Sequence, residues 1–264
     1  ALKALLSGTG KPLGSPKQRH IEIALDGKTL REVVIPADQA DVITINATAR
    51  YYTGGLAKLE AFAQAMTRAN AAFVAELGDF IDNPADSRLS REQKKAATLN
   101  FAQAAEAKLA VFHGPRYHVF GNHDTDQLSK EDFSAQVTNG GIQFPAGQFY
   151  YSWDSNGVHF VALDAGYQAN GNGYSGEPGT PGAGYRWDDA NLPPAELVWL
   201  KDDLARHPLP TIVFTHQLLN PQEMIDPAFD PKHAVRQAAE IRSVLEQSGQ
   251  VLAVFSGHYH DGGY

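Results

Sequence analysis

Four apolar segments of the sequence are each followed directly by residues that can bind a metal ion or move a proton. The four clusters are Gly78-Asp79-Phe80-Ile81-Asp82, Gly121-Asn122-His123-Asp124, Thr215-His216 and Ser256-Gly257-His258-Tyr259-His260. Their donors are carboxylate oxygens, an amide oxygen and imidazole nitrogens, a mixture that suits Mn, Fe or Zn better than Ca. Together the clusters predict a site for two divalent transition-metal ions.

Each of these residue types has a distinct use at such a site. The two oxygens of Asp79 could bridge two cations, and Asn122 offers a neutral amide oxygen. His216, His258 and His260 offer ring nitrogens, and the spacing of the last two lets each face a different ion. Two adjacent cations can clamp a phosphoryl group and provide a nucleophile from water at neutral pH. The predicted chemistry is therefore phosphoryl hydrolysis.

Two further residues of the second cluster could handle protons. His123 follows Asn122 and could stabilise or protonate the leaving-group oxygen. Asp124 could orient that imidazole from behind. We therefore predict His123 and Asp124 as catalytic residues.

Each signal is weak when taken alone. A histidine at a strand end is often a hydrogen-bonded structural residue, and a lone Gly-Asp is often a turn. Four such clusters in this order, each after a strand of buried type, favour the metal site. The histidines without such a context are interpreted as structural or surface residues: His20, His113, His118, His159, His207 and His233.

Strands and helices alternate along the part of the chain that carries the clusters. Strands are predicted over 42–45, 73–77, 117–120, 149–153, 158–163, 211–214 and 251–255, and helices over 56–69, 90–109, 194–206 and 234–247. Residues 20–25 and 30–35 predict a β-hairpin, and residues 166–192 a long loop. In open α/β sheets ligands bind at the carboxyl ends of strands, so the clusters should converge there.

Composition narrows the class of partner. The chain of 264 residues has 22 Lys and Arg against 30 Asp and Glu, a net charge of −8, and no cysteine. A nucleic-acid polymer and a membrane are thus not expected as partners, and thiolate chemistry is excluded. The expected partner is a small phosphoester, while the oligomeric state stays open. No signal peptide is visible, which leaves the compartment open between cytoplasm and export.

The ordered motifs Gly78-Asp79-x-x-Asp82, Gly121-Asn122-His123-Asp124, His216 and Gly257-His258-x-His260 resemble those of the calcineurin-like metallophosphoesterases. The resemblance covers residues 41–264 and implies an α/β fold, a four-layer αββα sandwich. It also implies that Asp79 bridges the metals, that Asn122, His216 and His258 serve one ion, and that His260 serves the other. His123 would be the catalytic histidine.

Finer similarities point to one branch of that family. Arg50-Tyr51-Tyr52 and the stretch from Tyr150 to Asp164 resemble manganese-dependent ADP-ribose/CDP-alcohol diphosphatases, and 187–197 resembles related bacterial members. The aromatic residues Tyr51, Tyr52, Tyr167, Tyr174 and Tyr185 could stack on a base, although loop aromatics more often pack. The substrate-binding residues are otherwise not predicted.

Two departures from the family pattern qualify this interpretation. The first motif, Asp-x-His or Asp-x-Gln, is missing after the strand at 42–45, and Asp38 is a candidate whose spacing is off by one. The family's second sheet also needs strands after the last motif, where only residues 261–264 remain. Residues 1–37 could complete that sheet beside the core at 38–264 in a single domain, as in a circularly permuted chain. The alternative is an unrelated N-terminal extension and a shortened C-terminus.

The preferred functional prediction is a hydrolase of phosphoester or pyrophosphate bonds that uses two divalent metals and acts on nucleotide-type small molecules. A phosphomonoesterase is the alternative within enzymes. The alternative of another class is a pseudoenzyme that binds phosphate compounds without turnover, as the missing first motif would allow.

Overall fold

The computed structural model describes residues 55–82, 88–143, 145, 147–184, 187–220 and 231–259, and the backbone of three strands within residues 2–36. These strands are β1 (Leu2–Leu5), β2 (Gln18–Leu25) and β3 (Lys28–Pro36), joined in an antiparallel sheet of order β1-β2-β3. The predicted hairpin is confirmed by the β2–β3 pairing. Its role in completing the second sheet stays a prediction.

The rest of the described chain alternates strands and helices, as predicted. In chain order these elements are α1 (Gly55–Arg68), β4 (Val74–Glu76), α2 (Arg91–Leu109), β5 (Arg116–His118), α3 (Lys130–Ser134), β6 (Tyr151–Ser155), β7 (Val158–Ala162), α4 (Pro194–Arg206), β8 (Thr211–Thr215), α5 (Ala238–Ser248) and β9 (Val251–Ser256). Short 3-10 helices span Asn122–Thr125 and Pro231–His233.

The elements from β4 onward form two sheets. Strands β4 and β5 pair in parallel, and β6-β7-β8-β9 form a four-stranded sheet. In the latter, β6 is antiparallel to β7, whereas β7, β8 and β9 run parallel. The carboxyl ends of β8 and β9 therefore lie at one edge, where ligands bind in sheets of this kind.

Alternate residues of β7 and β8 face two separate cores, because successive side chains of a strand point to opposite faces. Phe160 and Phe214 pack in a core with residues of α1 and α2, whereas Val161 and Val213 pack in a core with residues of α4 and α5. The resulting order is helices, sheet, sheet, helices. The predicted four-layer αββα sandwich is confirmed.

Local signals account for several helix ends, and one of them was predicted wrongly. Ser90 and Gln93 form the predicted capping box of α2, and Pro194 begins α4 as expected. Helix α5 was predicted from Ala234 but begins at Ala238. The reason is that Ala234 forms an isolated β-bridge with Leu218. This bridge keeps the residues just before the helix extended beside the segment that follows β8.

Several predictions fall on residues outside the described ranges. These are the strand at 42–45, the missing first motif with Asp38, the resemblance at Arg50-Tyr51-Tyr52, Tyr185 and His260. Within the described part, no helix combines the length and apolarity needed to cross a membrane.

A buried ion-pair cluster ties β4, β5 and α2 together next to the predicted metal loops. Glu76 and His118 are register partners at the ends of β4 and β5. The His118 ring lies 3.5 Å from Glu76 and 3.2 Å from Glu106, which also pairs with Arg116 at 2.9 Å. Burial alone would lower the pKa of His118, but the two carboxylates raise it to about 9. His118 is therefore a charged structural residue at neutral pH.

We expect His118→Gln to lower the free energy of unfolding at pH 6 by about 3 kcal/mol, since it leaves the buried Glu76 without its charged partner, whereas Glu106 keeps Arg116. A raised histidine pKa stabilises the fold fully below the unfolded value of about 6.5, and this stabilisation is lost as pH rises through about 9. The difference in free energy of unfolding between wild type and variant, measured by urea unfolding, should therefore become smaller from pH 6 to pH 9.5. Exposed His113→Gln is the control, and a gap independent of pH would contradict a charged His118.

Candidate metal centre

The predicted ligands within the described residues converge from four strand ends. Asp79 follows β4, Asn122 follows β5, His216 follows β8 and His258 follows β9, and all four side chains are buried. The His216 Nε2 atom lies 3.0 Å from Asp79 Oδ2 and 3.2 Å from His258 Nδ1. Asn122 Oδ1 accepts a hydrogen bond of 3.3 Å from Gln217, the neighbour of His216. The predicted ligands thus come from strands of both sheets and form one group of donor atoms.

Two glycines allow the loops after β4 and β5 to approach this closely. A Cβ atom on Gly121 would lie 2.1 Å from the Asp79 nitrogen, and one on Gly78 would lie 2.5 Å from His216 Nδ1. Both positions therefore exclude larger residues on steric grounds alone. The Gly-Asp and Gly-Asn pairs of the sequence are explained by this contact.

Two of the ligands adopt left-handed backbone conformations. Asp79 has a φ of 58° and His258 a φ of 63°. Such conformations are uncommon for residues other than glycine, and they concentrate at functional sites where the surrounding fold imposes them. Here they turn both side chains into the shared centre.

The hydrogen bonding of His216 shows that the centre fits a cation. Its Nδ1 atom lies 2.7 Å from the Leu77 carbonyl oxygen, which can only accept, so Nδ1 carries the proton in the neutral ring. In that neutral form the lone pair on Nε2 faces an oxygen of Asp79 and a nitrogen of His258, and a bound cation would replace the proton that the Asp79 carboxylate favours on Nε2. These three ligand atoms lie within 4.8 Å of one another. A divalent metal among them would satisfy one oxygen and two nitrogens at once.

Charge at the centre is consistent with a ligand role. Burial by itself would raise the pKa of Asp79, but His216 and His123 outweigh it and lower the pKa to about 2. Burial likewise would lower the pKa of His216, and the Asp79 carboxylate raises it instead. Asp79 is therefore ionised at neutral pH, as a carboxylate that could bind a metal ion needs to be.

His123 lies beside this donor group, on the 3-10 helix after β5. Its backbone nitrogen donates a hydrogen bond of 2.8 Å to Asp79 Oδ1. Its ring Nδ1 is 2.8 Å from Asp126 Oδ2 and 3.4 Å from Asp82 Oδ1. Burial would lower the pKa of the ring, but Asp126, Asp79 and Asp82 raise it to about 9. A protonated imidazole next to the centre suits a proton donor, the role predicted for His123.

The expectation that Asp124 orients His123 needs correction. The Asp124 carboxylate accepts hydrogen bonds from the backbone nitrogens of Asp79 (3.2 Å), Ile81 (3.1 Å) and Gly121 (2.8 Å). It therefore fixes the two metal loops, and Asp126 with Asp82 holds the imidazole. Asp126 caps the C-terminal end of the 3-10 helix, three positions after His123, and was not among the residues predicted from the sequence.

Two tyrosines that could have stacked on a base are used for packing instead, whereas one histidine lies closer to the centre than expected. Tyr167 and Tyr174 are buried, and their hydroxyls donate to the carbonyls of Gly147 and Asp189, so they pack the long loop. His233, expected to be structural or at the surface, lies with its ring 4.9 Å from that of His258. Motif reasoning did not place His233 near the centre, just as it did not select Asp126.

A second histidine group is structural, as predicted. His159 lies between Asp154 (2.6 Å) and Asp203 (2.8 Å), and its ring stacks on His207 at 4.5 Å with an angle of 10°. Ring nitrogens point along the ring plane, so nearly parallel stacked rings cannot direct both nitrogens to one ion. This arrangement holds β6, β7 and α4 together.

Comparison with known proteins agrees with this geometry. A family model described as "Calcineurin-like phosphoesterase" matches residues 40–262. A crystal structure of a dimetal phosphatase from Danio rerio is similar in fold, with a TM-score of 0.59 and 21% identity over 81% of this chain and 74% of that one. No curated protein matches the chain. Since the family match spans most of the sequence and all four clusters, the chain belongs to the calcineurin-like phosphoesterase family.

Proposed function

We propose that the chain hydrolyses phosphoester or pyrophosphate bonds in nucleotide-type small molecules with the help of two divalent transition-metal ions. The observation that carries this proposal is the convergence of Asp79, His216 and His258 on one buried centre beside a charged His123. Family membership and the fold shared with a dimetal phosphatase support it. The net charge of −8 supports a small substrate rather than a nucleic-acid polymer.

In this proposal the side chains divide into ligands and a proton donor. Asp79, Asn122, His216 and His258 would hold one ion, and Asp79 with His260 would hold the other. When bound, the two ions would polarise the phosphoryl group and lower the pKa of water. His123 keeps Nδ1 engaged with Asp126, so its Nε2 delivers a proton to the leaving-group oxygen.

The finer family placement is part of the same proposal. The branch of manganese-dependent ADP-ribose/CDP-alcohol diphosphatases is supported by the sequence similarities described above, and it favours Mn and a pyrophosphate bond. Circular permutation, with β1–β3 completing the second sheet, remains a further proposal. It requires β1–β3 to pair beside the strands that carry the metal loops, whereas the pairing described for these three strands is with one another.

Metal removal provides the central test. We expect protein stripped with a chelator to lose hydrolysis of bis-p-nitrophenyl phosphate and to regain it with Mn²⁺, at two ions per chain. p-Nitrophenyl phosphate and ADP-ribose, tested in parallel, separate a monoesterase from a pyrophosphatase. Full activity in metal-free protein would refute the mechanism, and metal binding without turnover of any substrate would indicate a pseudoenzyme.

A further inference from the structure

An exposed tryptophan lies close to the metal centre without being part of it. The Trp187 ring is 4.8 Å from the His233 ring, and His233 is 4.9 Å from the ring of the ligand His258. Trp187 keeps 37% of its surface exposed, although large aromatic side chains are usually buried. Part of the Trp187 side chain is therefore open to solvent near the predicted metal centre.

The turn that carries Trp187 is fixed to its surroundings. Arg236 donates a side-chain hydrogen bond of 3.0 Å to the Asp188 carbonyl and a backbone one of 2.9 Å to Ala190. The buried Tyr174 hydroxyl donates to the Asp189 carbonyl at 2.7 Å. The backbone that follows Trp187 is thus held before any ligand arrives, which reduces the entropic cost of binding.

Backbone hydrogen bonds also hold the segment that carries His233. The Leu218 nitrogen donates to the His233 carbonyl at 3.4 Å, and the Val235 nitrogen donates to Leu218 at 3.0 Å. Leu218 follows the ligand His216 by two positions, so this short pairing links His233 to the metal loop after β8. The ring of Tyr259, which follows His258, lies 5.6 Å from His233.

We propose that Trp187 and His233 form a stacking surface for the aromatic base of the substrate. The inference rests on the proposed function, since it needs a phosphoryl group at the metal centre. With that group near His258, a nucleoside extending over His233 places its flat base against Trp187. Tyr167 and Tyr174 are buried and hydrogen-bonded, so they offer no open face to a base, and the half-buried Tyr259 adjoins the pair at His233.

Equilibrium binding to metal-loaded protein tests the inference without turnover. AMP and ribose 5-phosphate share the phosphate and the sugar and differ in the base. Stacking of one base predicts that AMP binds about 5- to 150-fold more tightly. Trp187→Ala should bring the two dissociation constants together by weakening AMP alone, and Trp187→Phe should keep most of the preference.

Controls distinguish this inference from the function on which it rests. Trp199 lies on α4 against Tyr150, so Trp199→Phe should leave the preference for AMP unchanged. Equal binding of both compounds to wild type, or equal weakening of both in Trp187→Ala, would overturn the stacking surface alone. Failure of wild type to bind either compound would overturn the proposed function and the inference with it.

Discussion

Asp79→Asn should remove nearly all hydrolytic activity and most of the bound metal. Asparagine keeps the size of the side chain and can still accept the hydrogen bond from the His123 nitrogen. It loses the negative charge that faces His216 at 3.0 Å and would bridge the ions. Charge stabilisation by bound metal amounts to several kcal/mol, so we expect a fall of about 10³-fold or more in kcat/KM. Metal analysis and steady-state kinetics on the same preparation measure both effects.

A matched control excludes a general effect of removing a carboxylate. Asp202 lies on the exposed face of α4 and pairs only at the surface with Arg206 at 3.3 Å. Asp202→Asn should therefore keep wild-type metal content and activity, because surface pairs contribute little. An Asp79→Asn protein that retains two ions per chain and normal rates would contradict the bridging role.

His123→Gln should have the second-largest effect, with a different signature. We expect kcat to fall by about 10²–10⁴-fold while metal content stays the same, because His123 supplies a proton rather than a ligand. The loss should be greater for an alkyl leaving group than for p-nitrophenolate, which leaves without needing a proton. Rates across a series of leaving groups measure this dependence.

Substitution of Asp126, whose carboxylate contacts the His123 ring, should have a smaller effect than substitution of His123 itself. Asp126→Asn keeps the hydrogen bond to His123 but removes the charge, so its loss should stay within about 10- to 100-fold, as for other orienting residues. Asp124→Asn instead disturbs three backbone contacts and should lower stability. If His123→Gln stripped the metal without any dependence on the leaving group, the assignment as proton donor would be wrong.

The sequence predicted those features that rest on local signals. The capping box at Ser90 begins α2, and Pro194 begins α4, because both act on the first turn of their own helix. The residues predicted as ligands lie close together because the parallel pairs β4–β5 and β8–β9 each bring their carboxyl ends to one edge of their sheet. Local patterns and one topological rule were sufficient there.

Features that depend on packing between distant segments could not be predicted in this way. Asp124 and Asp126 are both acidic neighbours of His123, and only the path of the 3-10 helix determines which one reaches the ring. His233 and Trp187 lie 46 positions apart, and the resemblance at 187–197 does not connect them, yet their turns meet beside His258. The late start of α5 has a similar cause, the bridge between Leu218 and Ala234.

The left-handed backbone at Asp79 and His258 limits how the metal preference could be redesigned. Aspartate, asparagine and histidine tolerate this conformation better than most residues, whereas longer or branched side chains are strained there. Exchanging either ligand for glutamate or threonine would therefore carry a conformational cost in addition to the change in coordination. Glycine would relieve the backbone but supply no ligand. Engineering of new metal specificity should accordingly begin at Asn122 and His216, where the chain imposes no such restriction.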